Sequence, residues 1–131
     1  MRKSDLEERL INFAVSVLAV AEKMKKTYAG THLSGQMIRS STSAALNYGE
    51  SESAESGKDF VHKMKVVLKE LRETFVNLKI VDRTNLYPVP ADLKPLLSEN
   101  NELIAIFVTS VNTANKNLQS KKAEKSLNKT L

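Results

Sequence analysis

Lys58, His62, Lys65, Lys69, Arg72, Lys79 and Arg83 recur at intervals of 4, 3, 4, 3, 7 and 4, and Val76 stands in the one gap. Wound as a helix, residues at this spacing share a face. Each falls about two residues before an apolar position of the same segment, which at about 100° per residue puts the cations opposite the core. The ridge so formed extends ~37 Å at ~1.5 Å per residue. Its chemistry is that of a polyanion contact, because lysine and arginine heads neutralise phosphates and release condensed counterions. Lys58, Lys65, Lys69, Arg72, Lys79 and Arg83 are therefore the candidates for binding RNA or DNA backbone. The plainer alternative is a solvated helix face, with Glu73 and Asp82 beside it offsetting part of the charge. Phe13, Phe60, Phe75 and Phe107 fall on or beside apolar stripes, and none sits between ridge cations. Stacking of bases on aromatic rings is not expected.

A second polar pattern, Arg39, Ser43, Asn47 and Glu50, is spaced 4, 4, 3. Arg39 and Glu50 lie about three turns apart and cannot pair with each other on one helix. Each needs a partner elsewhere, since an unpaired charge turned into a bundle is expensive to desolvate. Glu70 and Glu73 are the candidate acceptors for Arg39. Structural pairing, rather than catalysis, is the expectation for Arg39, Ser43, Asn47, Glu50, Glu70 and Glu73.

Other chemistries find little support. The chain has no cysteine, which excludes disulfides, thiolate zinc sites and cysteine nucleophiles. Bundles that hold two irons draw on Glu-x-x-His pairs, whereas this chain offers only Asp59-Phe60-Val61-His62, with His62 on the ridge. His32 has no acid at ligand spacing. There is no glycine-rich phosphate loop and no nucleophile elbow. No catalytic residue, metal or cofactor is expected.

The elements that must carry these patterns are helical. The 131 residues suit one domain, with 41% apolar, 27% charged and a net charge of +5. The longest apolar run, Leu103 to Val108, is far short of the ~20 residues that cross a bilayer. Met1-Arg2-Lys3 leads into polar residues rather than a secretory apolar stretch, so a soluble, cytoplasmic protein is expected, with no membrane partner. A first helix spans about Ser4 to Tyr28, with Leu10, Ala14, Val17, Ala21, Met24 and Tyr28 on one stripe and Ile11, Val15 and Leu18 on a second; Gly30 supplies its stop. A second spans about Leu33 to Ser53, and its run of small residues from Ser40 to Ala45 suits an inner helix. Ser56 and Asp59 read as the start of a third, whose core stripe is Phe60, Met64, Val67, Leu71, Phe75 and Leu78. After a loop around Pro88-Val89-Pro90, the fourth spans about Asp92 to Gln119, with Leu96, Leu103, Phe107, Ser110, Ala114 and Leu118 inward. Nothing alternates as a strand does. The fold class is all-α, an antiparallel up-down-up-down four-helix bundle over residues 1–120. Residues 121–131 read as a flexible lysine-rich tail.

At the second and third helices the residues become familiar in combination: Gln36-Met37-Ile38-Arg39-Ser40 with Ser43, then Asn47 and Glu50, then Asp59-Phe60, then Lys69-Glu70-Leu71-Arg72-Glu73-Thr74. This order resembles the bacterial four-helix-bundle family of 23S rRNA intervening-sequence proteins, over about residues 10–120. Phe75-Val76-Asn77-Leu78 departs from the aromatic pair often found there. The resemblance implies a closed homopentamer. It also implies kinship with the accessory protein of diversity-generating retroelements, which binds a reverse transcriptase and nucleic acid. The double apolar stripe of the first helix and the run Leu103 to Val108 exceed what one bundle core needs, and surplus apolar surface marks an interface. The expectation is a non-enzymatic homo-oligomer that engages RNA or DNA backbone. The alternative is a scaffold that presents its surface to a partner protein.

Overall fold

A computed structural model of the chain describes residues 2–130; Met1 and Leu131 lie outside them. Four helices follow in order: α1 (Lys3–Glu22), α2 (Tyr28–Ser51), α3 (Gly57–Asp82) and α4 (Leu93–Thr130), with a single 3-10 turn, Pro90–Asp92, ahead of α4. The links between the first three helices are five residues each, too short for anything but antiparallel neighbours. Cross-helix pairs confirm the directions. Lys3 meets Glu52 while the Ser34 hydroxyl donates to the Ala21 carbonyl, so α1 and α2 run oppositely. Glu50 meets Lys63 while Arg39 meets Glu73, and α2 and α3 do likewise. The all-α, up-down-up-down bundle is the observed fold.

Its core is made by the stripes the sequence carries. Leu10, Val17, Met37, Val67, Leu71, Leu78, Leu103 and Phe107 are almost completely enclosed. Tyr48 packs edge-on against Phe107 with ring centroids 5.4 Å apart. Phe60 and Phe75 lie at the margin instead, half-buried, and Thr74 and Glu70 occupy buried positions on α3. Small residues let α2 and α3 approach: the Ser40 and Thr74 hydroxyls are 2.7 Å apart with no solvent access. Asn100 on α4 is also fully buried, its amide donating to the Leu71 carbonyl of α3 at 3.0 Å while its own Oδ1 has no partner among the described residues. The α1–α4 seam is the least closely packed and is fastened by charge, Arg9 reaching Glu99 at 2.6 Å and Glu102 at 3.2 Å.

Three boundaries differ from the sequence expectation. α1 ends at Glu22, and Tyr28 is not its last core residue but the 91% exposed first residue of α2. The cause is a cap hidden in Lys26-Thr27-Tyr28: the Thr27 hydroxyl accepts from the Gly30 amide at 3.1 Å and starts α2 early. Gly30 is accordingly no left-handed stop. It lies in the first turn of α2, without positive φ, and a Cβ there would stand 1.9 Å from the Lys25 carbonyl oxygen. Its glycine is required for that close approach. At the other end, α4 does not stop at Gln119 but stays helical to Thr130, with residues 119–129 exposed throughout. Beyond Ser120 the expectation was a tail without regular structure; lysine, alanine, leucine and glutamate are good helix formers, and they continue the helix already begun.

Candidate nucleic-acid interface

α3 positions the ridge, and its start is built locally. The Ser56 hydroxyl accepts from the Asp59 amide at 3.1 Å, while the Asp59 carboxylate accepts from the Glu55 amide at 3.3 Å. This cap sets the phase of an unbroken 26-residue helix. Because Met64, Val67, Leu71 and Leu78 turn inward, Lys58, His62, Lys65, Lys69, Arg72, Lys79 and Arg83 all emerge exposed. Lys69 approaches Glu73 only at 4.0 Å, and the Lys79 ammonium lies 4.7 Å from the Phe75 ring centroid. Among the described residues, Lys58, Lys65, Arg72 and Arg83 have no ion-pair partner within 4 Å. Cations left solvated in this way remain available to an incoming anion.

The second polar pattern lies along the α2–α3 boundary. Arg39 bridges to Glu70 at 3.3 Å and to Glu73 at 3.1 Å. Asn47 donates to Ser43, both to its carbonyl at 2.9 Å and to its hydroxyl at 3.1 Å, and Glu50 takes Lys63 at 2.9 Å. The expectation of an inward-facing arginine needs correction. The Arg39 side chain is 63% exposed, and the enclosed partner is Glu70, at 5%. Burial pushes the Glu70 carboxyl above the ordinary carboxylate range, and the nearby Glu73 adds to that push; Arg39, Lys69 and the Ser43 hydroxyl act against it. Glu50 has the opposite setting, exposed and paired, and it raises Lys63 above the ordinary lysine value by accepting its hydrogen bond.

Between these two patterns runs a groove that periodicity alone did not reveal. It has a volume of about 640 Å³, and Lys65, Lys69 and Arg72 stand along one side with Arg39 opposite. Leu68 and Val76 line it with apolar surface, and Val76, which fills the gap in the cation series, is 51% exposed there. The only hint in the sequence was that gap in the cation series. A second groove joins α1 and α2, where Ile11 and Leu46 lie among Glu7, Glu50, Glu55 and Asp59. Val15, one turn beyond Ile11, is 58% exposed and Leu46 is 65% exposed. Among the described residues, no group of three or more histidines, cysteines or acids is arranged to hold a metal, and no helix is long and apolar enough to cross a membrane.

Comparison with known proteins places this geometry in a family. A crystal structure of a protein of unknown function from the S23 ribosomal protein family of Bacteroides thetaiotaomicron superposes with a TM-score of 0.76 at 25% identity, covering 86% of this chain and 99% of that one. No curated protein matches the chain. The family model described as 23S rRNA-intervening sequence protein matches residues 2–109, from the start of α1 to the middle of α4 and including the whole of α3. With more than four-fifths of its length so matched, the chain belongs to the 23S rRNA-intervening sequence protein family.

Proposed function

We propose that this protein is a non-enzymatic homo-oligomer that binds the backbone of RNA or DNA through the cationic face of α3. The observation that carries it is the simultaneous exposure of Lys58, Lys65, Lys69, Arg72 and Lys79 along one continuous helix, with Arg83 exposed at its C-cap. Six cations in line meet phosphates one by one, without needing any particular base. The exposed lysines of the α4 extension, Lys121, Lys122, Lys125 and Lys129, add auxiliary contacts. Assembly is supported by Ile11, Val15 and Leu46, an apolar patch on the α1–α2 face that the bundle core leaves uncovered. A ring of five subunits, as the family resemblance implied, accommodates such a patch, and a cytoplasmic location suits these partners.

The test is binding to structured RNA at several salt concentrations. Affinity should fall steeply with salt, and Lys65→Glu with Lys69→Glu should weaken all sequences alike and flatten the salt dependence. Unchanged binding by that double reversal removes the ridge from the account. The apolar patch also suits a second reading, a scaffold for a partner protein. A pull-down indifferent to nuclease, with no retardation of nucleic acid in a gel, selects that reading.

A further inference from the structure

Val76 is the anomaly of the ridge. It occupies a phosphate-facing position, at i+4 from Arg72 and i+7 from Lys69, yet it offers a phosphate nothing. Half its surface is exposed, so it gains little from burial in the bundle. It does not stand alone. With Leu68 it floors the groove between α2 and α3, and two amides, Gln36 and Asn77, line the same space. Both amides are half-buried, and neither takes part in a hydrogen bond with another described residue. Cations at the rim, an apolar floor and unengaged amides are the parts of a nucleotide site: charge for the phosphate, a surface for the ring, and donors and acceptors for its edge.

We infer that the α2–α3 groove receives one unpaired base of the bound nucleic acid, seated on Val76 and Leu68, while Lys65, Lys69 and Arg72 hold the phosphates beside it. This rests on the backbone-binding function proposed above and narrows its ligand to a duplex interrupted by a bulged nucleotide. A continuous duplex keeps its bases stacked inside and cannot fill the groove. A bulge costs little to extrude and can. Charge complementarity favours a phosphate-bearing occupant: Lys65, Lys69 and Arg72 face a single rim acid, Glu73, itself engaged by Arg39.

The experiment compares a short RNA duplex carrying one central bulged adenosine with the same duplex fully paired, by fluorescence anisotropy at fixed salt. Wild-type protein should bind the bulged duplex about tenfold more tightly. Val76→Lys completes the cation series at an exposed site. It should tighten the paired duplex and abolish the preference. Gln36→Ala with Asn77→Ala should abolish the preference, weakening the bulged duplex more than the paired one. Equal binding of both duplexes by the wild type overturns the groove assignment and leaves the backbone-binding function standing. Binding of neither duplex overturns both. A glutamate-rich amphipathic peptide that displaces the duplex, in the absence of any bulge preference, assigns the groove to a protein partner and also overturns the inference.

Discussion

Single residues here carry costs that can be read from their surroundings. Glu70 is the clearest case, because its carboxyl titrates higher in the bundle than in the unfolded chain, driven first by burial and then by Glu73. Between those two values the native state retains a proton that the unfolded chain has released, so Glu70's contribution to stability is lost as pH rises through the window. Glu70→Gln removes the titration. The stability of Glu70→Gln minus that of wild type, measured by chemical denaturation, should therefore grow from acid towards neutral pH; a difference that stays flat contradicts the assignment. Gly30 is constrained by space rather than charge. A methyl group there would meet the backbone oxygen of Lys25, which cannot swing aside as a side chain could. Lys25 is itself held, its amide donating to the Leu86 carbonyl at 2.9 Å. Gly30→Ala should cost about 2 kcal/mol, the usual penalty of overpacking, read as a lower denaturation midpoint.

At the scale of elements, the helices differ in how much of their order comes from packing. α3 is amphipathic along its length, with one face enclosed and the other mostly ionic, interrupted by exposed Val76 and Ile80. The last turns of α4 are exposed and are held largely by propensity and by continuity with the packed part. Truncation after Ser120 should leave the unfolding free energy, measured by chemical denaturation, within about 0.5 kcal/mol of the full chain. Circular dichroism should lose the helicity of the removed turns, and nucleic-acid affinity should drop modestly with the loss of four lysines. This contrast also explains what was legible in the sequence. Helix phase and core faces followed from apolar spacing, since Leu10, Val17, Val67, Leu71 and Phe107 fall where a 3.6-residue period puts them. The ridge followed from the same arithmetic. The break at Thr27 was obscured because Met24 and Tyr28 continue the apolar stripe across it, and periodicity cannot distinguish one helix from two in line. The groove was hidden for another reason: it belongs to two helices at once, and Gln36 and Arg39 come within reach of Val76 and Asn77 only through packing.

For the whole molecule, the distribution of unpaired surface matters most. Cations crowd the outer face of α3, while the α1–α2 face combines apolar side chains with acids. An assembly that covers Ile11, Val15 and Leu46 leaves the ridge open, so the two proposed properties do not compete for the same residues. Val15→Asp with Leu46→Asp should reduce the mass measured by light scattering to that of one chain, without loss of helicity. An undiminished mass would place the contact elsewhere. The enclosed Asn100 gives the bundle a further property. Its amide reaches across to the Leu71 carbonyl from within a greasy seam, so sliding α4 past α3 by a single turn would strand a polar group with no solvent to receive it. The heights at which Lys69 and Arg72 meet the outside world are thus indexed by a detent deep in the interior. Repacking at position 100 should loosen the seating of α4 on α3, read as a lower denaturation midpoint, although it touches no surface residue.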